Sequence, residues 1–171
     1  MSLPGRSLFM VAKAMQEEVD RSLGPPEEGL LAETHRVVPR SIVRGTRGYI
    51  EKVANQVNGC YEKGWYDGSA VMARRLVETL IIETFEHHGI ADRIKNAKGE
   101  FFQLGDLIDR CVNESKWNLS RNAKQAMPKL KGLGDKSAHS RRYLAQRGDI
   151  DPLALDIRLV AQELIYLAGL K

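Results

Sequence analysis

The chain has 171 residues, 43% of them hydrophobic, and its 26 Lys and Arg exceed its 22 Asp and Glu by four charges. This length fits one domain with an appendage, and the apolar fraction is enough for a core. A net charge of +4 permits nucleic-acid binding but is far below that of a dedicated nucleic-acid coat protein. Cys60 and Cys111 form no metal-binding pattern, so a disulfide framework is not expected and a reducing compartment fits better.

The N-terminal residues are expected to form an appendage to the main domain. Residues 6–22 predict a helix, which must end before the Gly- and Pro-rich linker from Gly24 to Gly29. The apolar patch at residues 7–12 is too short for a signal peptide, and no run approaches the roughly 20 apolar residues that cross a bilayer. We therefore expect two parts, 1–35 and 36–171, in a cytoplasmic protein with no membrane partner.

The sequence of residues 36–171 predicts helices that are separated by glycine and proline. Apolar residues recur at helical spacing over about 40–62, 69–88, 104–112 and 119–131. Gly45 and Gly48 leave the first turns of the first of these helices uncertain. Asp67 or Ser69 is expected to cap the second helix, and Gly89 is expected to close it.

The last helix has the clearest pattern. Asp151 is expected to cap it, and Pro152 is expected in its first turn. Its apolar residues form one stripe at steps of four and three: Leu153, Ile157, Val160, Leu164 and Leu167. The stripe predicts a packing face, either against another helix of the chain or against a second copy. Because strand signals are nearly absent, the sequence predicts an all-α bundle of roughly five to seven helices.

The best candidate for chemistry is the run Lys131-Gly-Leu-Gly-Asp-Lys-Ser-Ala-His139. If a helix begins near Asp135, residues four apart share one face, and the carboxylate can orient the imidazole of His139. Lys131 and Lys136 would then offer positive charge to a phosphate. In the simpler interpretation, which the sequence alone favours, the two glycines form a turn, the aspartate caps a helix, and the histidine is an ordinary polar residue.

Weaker candidates lie elsewhere in the chain. Arg74, Arg75 and Glu78 either form a polar cluster facing the histidine or contain a simple ion pair between Arg74 and Glu78, worth about 0.2–0.5 kcal/mol. We favour a structural network, because the wide apolar face of this helix leaves it little exposed surface. Trp65 and Trp117 lie near cationic residues and either stack on nucleic-acid bases or anchor turns to the core.

Cofactor and metal binding are not expected. The chain has no glycine-rich phosphate loop of the kind that binds nucleotide cofactors. Glu83, His87 and His88 lack a third ligand at a fixed spacing, so a solvated helix end explains them better than a metal site.

Three segments, in this order, resemble a prokaryotic domain family of unknown function within the HEPN superfamily. They are the Arg-Arg-x-x-Glu helix at Arg74–Glu78, the Gly-Asp-x-x-Ala-His signature at Gly134–His139, and the apolar helix at Pro152–Leu167. The resemblance covers about residues 40–169. It implies a helical HEPN-like core that forms homodimers, with the signature histidine of each copy near the interface.

HEPN members that cleave RNA pair an arginine with a histidine that follows after four to six intervening residues, and they need no metal. The resemblance implies that His139 would act as general base on a ribose 2′-hydroxyl while a cation stabilises the scissile phosphate. The chain departs from this pattern, because residues 132–134 hold no arginine and Lys131 lies one residue too far upstream. Asp135 replaces a neutral asparagine and would repel phosphate, and Arg141 and Arg142 are the nearest substitute cations.

These observations support one leading hypothesis and two alternatives. The leading hypothesis is a dimeric HEPN-like module, non-catalytic or weakly catalytic, that binds RNA, a nucleotide or a protein partner. Its binding residues would be Lys131, Asp135, Lys136, Arg142, Arg74, Arg75 and Glu78. The first alternative is a metal-independent endoribonuclease of a toxin or defence system, with His139 as its catalytic residue. The second is a purely structural interaction module.

Overall fold

The computed structural model describes residues 36–171 and shows an all-α bundle, as predicted. Its helices are α1 (Arg40–Val43), α2 (Gly48–Glu62), α3 (Tyr66–His87), α4 (Leu104–Asn113), α5 (Arg121–His139), α6 (Arg147–Ile150) and α7 (Ala154–Leu167). Short 3-10 turns lie at Ala91–Ile94 and Asp151–Leu153. The helix predicted over 6–22 and the linker after it lie outside the described residues.

Helix α3 is the centre of the bundle. Leu76, Leu80 and Phe85 are fully buried on it, as the wide apolar face of its sequence predicts. Helices α2, α5 and α7 all pack against α3. At its C-terminal end, the rings of Phe85 and Trp117 meet edge to face with centroids 4.9 Å apart, which extends the core beyond the helix.

The helix predicted over 40–62 is divided into α1 and α2 by a turn. Gly45 adopts a left-handed φ of +83° in this turn, a conformation that costs glycine little and other residues more. The amide of Gly45 donates to the carboxylate of Glu51 at 2.8 Å. Upstream of α1, the amide and carbonyl of Val38 both bond to the side chain of Asn58, so the start of the described chain is fixed to α2.

The predicted N-terminal cap of α3 is wrong, because α3 begins at Tyr66, before Ser69 and without a side-chain cap, whereas Gly89 follows the end of the helix in a left-handed conformation, as predicted. The carboxylate of Asp67 instead accepts a hydrogen bond from the amide of Ala145 at 3.0 Å. The hydroxyl of Ser69 is buried and donates to the carbonyl of Val57 at 2.9 Å. Both side chains therefore connect α3 to other segments, which sequence spacing does not reveal.

The predicted start of the last helix is also corrected. Asp151–Leu153 form a 3-10 turn, and the α-helix begins only at Ala154. The carboxylate of Asp151 accepts a hydrogen bond from the hydroxyl of Tyr61 on α2, and no side-chain cap bond is present at the start of α7. Asp151 thus joins two helices instead of capping one.

The apolar stripe of α7 packs within its own chain. Ile157, Val160 and Leu164 are almost fully buried, and Leu153 and Leu167 are partly buried against the same core. Helix α7 contacts α3 and α5 along this stripe. Of the two partners that the sequence left open for the stripe, another helix of the chain is the one observed. None of the helices between residues 36 and 171 has the length and apolar character needed to cross a membrane.

Helix α5 differs most from the sequence-based expectation. It continues past the predicted end at residue 131 to His139, so the expected turn at Gly132 and Gly134 is wrong and no helix begins at Asp135. The hydroxyl of Ser120 caps its first turn. The whole candidate run from 131 to 139 is therefore helical.

The glycine at position 134 allows α5 to approach α3 closely. A Cβ atom on Gly134 would lie 2.6 Å from the Cβ of Arg74 and 3.2 Å from the carbonyl oxygen of Ala70. Gly132, two residues earlier in the same helix, has nothing within 4 Å of the corresponding position. Of these two glycines, Gly134 is therefore the one that packing requires.

These two glycines make a matched pair for a stability measurement. We expect Gly134→Ala to destabilise the protein by about 1–3 kcal/mol, because a methyl group forced between two helices must displace backbone. Gly132→Ala should stabilise it by about 0.4–1 kcal/mol, because alanine restricts the unfolded chain and fits the helix. Urea denaturation of both variants measures these free energies of unfolding. Equal effects of the two substitutions would contradict the close approach of α5 to α3.

Candidate functional site

Seven of the eight predicted site residues fall into two groups. Arg74, Glu78, Lys131 and Asp135 lie between α3 and α5 and form what we call the ion cluster. Lys136, His139 and Arg142 are exposed at the C-terminal end of α5 and in the loop after it. Arg75 is exposed on α3 and, among the described residues, has no ion pair.

Asp135 is at the centre of the ion cluster. One of its carboxylate oxygens accepts a hydrogen bond from Nε of Arg74 at 2.9 Å, and the other accepts from Nζ of Lys131. Nη1 of Arg74 also lies 3.7 Å from the carboxylate of Glu78, the ion pair that the sequence predicted. The stem of Lys131 passes against Gly105 of α4, so the cluster connects three helices.

The cluster holds Asp135 in its charged form. Partial burial by itself raises the pKa of this carboxyl, but the hydrogen bonds and positive charges of Lys131 and Arg74 outweigh it. The net result is a pKa below the usual value. This carboxylate is thus fully engaged in joining α3 to α5, and the arrangement fits the structural network that we favoured for Arg74 and Glu78.

His139 is not oriented by Asp135. The imidazole is exposed at the last residue of α5, and no hydrogen bond joins it to a described residue. Both oxygens of Asp135 are occupied by Lys131 and Arg74. The proposed carboxylate–histidine pair therefore does not form, although the two residues are four apart on one helix.

The exposed group forms a continuous stretch that we call the basic segment, residues 136–142. It contains Lys136, His139, Arg141 and Arg142, all exposed. None of the three cations forms an ion pair with a carboxylate in the described part of the chain. The loop is held downstream, where the amide of Ala145 bonds to Asp67 of α3.

The two tryptophans have opposite environments. Trp117 is buried, and its indole N–H donates to the carbonyl of Cys111 at 3.0 Å, so it anchors the core and cannot stack on a base. Trp65 is 60% exposed immediately before α3. It precedes Asp67 by two residues, which places the indole at the end of α3 that holds the loop of the basic segment.

Two of the three residues considered for a metal site, Glu83 and His88, have other partners. The carboxylate of Glu83 accepts from the hydroxyl of Tyr49 and lies 3.3 Å from Nε of Arg47, and burial raises the pKa of this carboxyl. A ring nitrogen of His88 lies 3.1 Å from the carbonyl of Leu167. Between residues 36 and 171, no three His, Cys, Asp or Glu side chains are grouped to hold a metal ion.

A cleft beside the start of α7 was not predicted from the sequence. Its lining includes Arg36, Tyr61, Arg147, Asp151 and Arg158. These residues come from distant parts of the chain, so no local motif marks them. The only available signal was the charge of the arginines, which a basic chain carries at many other positions.

The ion cluster predicts a pH dependence of stability. Because the folded-state pKa of Asp135 is lowered, its stabilisation is complete above the unfolded value of 3.8 and is lost as the pH falls through the folded-state pKa. Asp135→Asn should lower the free energy of unfolding by about 1–2 kcal/mol near neutral pH. This loss lies between those typical of exposed and of buried ion pairs. The difference in free energy of unfolding between this variant and the unsubstituted protein should become smaller at acidic pH.

Urea denaturation from about pH 6 to about pH 3 measures this dependence. The matched control is Asp109→Asn. Asp109 is an exposed aspartate on α4 that forms no ion pair with a described residue. If both variants lost the same stability at every pH, the ion cluster would not be the cause.

Comparison of the chain with protein-family models, with curated proteins and with solved structures found no match. The HEPN resemblance therefore rests on the residue pattern alone.

Proposed function

We propose that the protein binds single-stranded RNA through the basic segment. The strongest support for this proposal is that four side chains are exposed within seven consecutive positions: Lys136, His139, Arg141 and Arg142. None of the three cations among them forms an ion pair with a carboxylate of the described residues. Cations without a carboxylate partner can exchange their counterions for phosphates, and the release of those counterions favours binding. Asp135, the nearest acidic residue in sequence, is already neutralised by Lys131 and Arg74.

The position of the cations separates this proposal from a purely structural explanation. A cation in the last turn of a helix interacts favourably with the helix dipole, which accounts for Lys136 without any ligand. This effect falls off within the last turn. Arg141 and Arg142 lie beyond the end of α5, so the dipole does not account for their exposure.

Trp65 supports a single-stranded ligand. An exposed indole can stack on an unpaired base, and such stacking is worth about 1–3 kcal/mol per base. Trp65 lies at the end of α3 that holds the loop of the basic segment through Asp67 and Ala145. Phosphate contacts and base stacking would then come from adjoining surfaces, the combination that single-strand binding proteins use.

The basic segment can be tested by a titration with a labelled single-stranded RNA over a range of salt concentrations. The double variant Arg141→Gln/Arg142→Gln should bind more weakly, and the slope of log affinity against log salt should fall by about 0.7 per cation removed. Arg121→Gln is the matched control, because Arg121 is an exposed arginine about 27 Å away at the other end of α5. An unchanged salt slope in the double variant would contradict the proposal.

Two further measurements use the same RNA. Trp65→Ala should weaken binding without changing the salt slope, because stacking releases no counterions. RNA recovered after incubation in excess chelator should be intact, since His139 has no oriented carboxylate partner. Shortened RNA with the unsubstituted protein but not with His139→Ala would instead establish the endoribonuclease alternative.

Homodimer formation, which the HEPN resemblance implies, remains part of the proposal. The buried stripe of α7 is occupied by the chain's own core, so a second copy that packs on this helix would use its outer face. Leu155 and Tyr166 are 71% and 77% exposed there. They are eleven residues apart, or about three turns, and therefore lie on one side of α7.

Light scattering at micromolar concentration tests this arrangement. A dimer of the unsubstituted protein should become a monomer in Leu155→Glu/Tyr166→Glu, because two charges would be buried without partners at the interface. Phe101→Glu, at a site that is 37% exposed and outside both α7 and the basic segment, is the control and should leave the dimer intact. A monomeric unsubstituted protein would rule out the homodimer.

A further inference from the structure

The cleft beside the start of α7 brings together three arginines from three separate segments of the fold. Its volume is about 180 Å³, and it is lined by Arg36, Arg147 and Arg158 together with Tyr61 and Asp151. Three guanidinium groups therefore face one carboxylate. The lysine and arginines of the basic segment do not contribute to its lining, so the cleft is a separate surface.

Arg158 is the least neutralised of the three cations. Its Nε donates to the carbonyl of Val37 at 3.0 Å, and its Nη2 donates to the carbonyl of Arg36 at 2.6 Å. No described carboxylate pairs with Arg158, and its Nη1 has no acceptor among residues 36–171. A partly buried guanidinium that bonds only to neutral carbonyls keeps its full charge, and such a charge is unfavourable unless an anion balances it.

Arg147 is held in place but retains free donors. Its guanidinium lies over the ring of Tyr61, 5.5 Å from the ring centroid, and its Nε donates to the Tyr61 hydroxyl at 3.0 Å. The same Nε lies 3.5 Å from the carboxylate of Asp151. Burial and the hydrogen bond to Asp151 raise the pKa of Tyr61, so its hydroxyl remains protonated. The terminal nitrogens of Arg147 are left for a ligand.

The third cation, Arg36, is buried beside the cleft, and its charge is partly balanced from outside. Burial raises the pKa of Glu62, and the positive charge of Arg36 partly offsets this effect. Asp151 likewise balances part of the charge of Arg147. The unbalanced charge of the cleft is therefore close to that of Arg158 alone, and an anion of one or two charges would match it.

We propose that this cleft binds the phosphate group of a phosphate monoester. Guanidinium groups recognise phosphate oxygens through paired N–H donors, and Arg147 and Arg158 both retain terminal N–H groups for this purpose. The volume of about 180 Å³ is smaller than the roughly 300–1,000 Å³ of sites that enclose whole drug-sized ligands. It is suited to a phosphate and the first atoms attached to it, with the rest of the molecule outside.

Calorimetric titration with adenosine monophosphate, inorganic phosphate and adenosine tests this proposal. Adenosine monophosphate and inorganic phosphate should bind, whereas adenosine should not. Arg147→Gln should weaken binding by about tenfold or more, the usual order for one charge-assisted contact. Arg121→Gln, which removes an equal charge outside the lining of the cleft, should bind as the unsubstituted protein does.

Asp151→Asn provides a variant with the opposite expected effect. It removes the negative charge that competes with phosphate, and its amide oxygen can still accept from Tyr61, so binding should become several-fold tighter. A partly unfolded variant cannot bind more tightly, which separates this result from a loss of fold. Equal affinities in Arg147→Gln and Arg121→Gln, or equal binding of adenosine and its monophosphate, would overturn the proposal. The RNA titration is scored on Arg141 and Arg142, so either proposal can fail without the other.

Discussion

The close packing of α5 on α3 is the constraint on which the rest of the structure depends. Gly134 brings the backbones of the two helices together, and Arg74, which packs against that glycine, also reaches Asp135 one residue further along. Steric fit and ion pairing therefore act at the same crossing. Because α3 is the centre of the bundle and α5 carries the basic segment, this crossing determines where the exposed cations lie relative to the core.

The fold was largely predictable from the sequence, because apolar residues that recur at the helical period mark the buried face of a helix. The long apolar face of α3 and the stripe of α7 both identified core residues correctly. Residues that usually mark the ends of helices were less reliable. Glycine usually marks a turn, but Gly134 lies inside a helix because a neighbouring helix occupies the space where a side chain would be. That cause is a tertiary contact, and no local pattern contains it.

The candidate site was predictable only in part for a related reason. The ion pair between Arg74 and Glu78 follows from a spacing of four residues, and it is present. The partner of Asp135 across the helix crossing is 61 positions away in sequence, so the sequence suggested His139 on the same helix instead. A carboxylate bonds to the nearest cation in space, so Asp135, which the sequence suggested would orient His139, instead joins two helices of the scaffold.

Arg158 has a consequence for the start of the described chain. The guanidinium that lines the cleft is the same one that binds the carbonyls of Arg36 and Val37. An anion in the cleft would fix the orientation of that guanidinium, and a firmly held backbone at residues 36–37 would in turn preorganise the donors for the anion. The two events are thermodynamically linked, so each must favour the other by the same free energy. The backbone of residues 36 and 37, where the described chain begins, would thereby be coupled to the occupancy of the cleft.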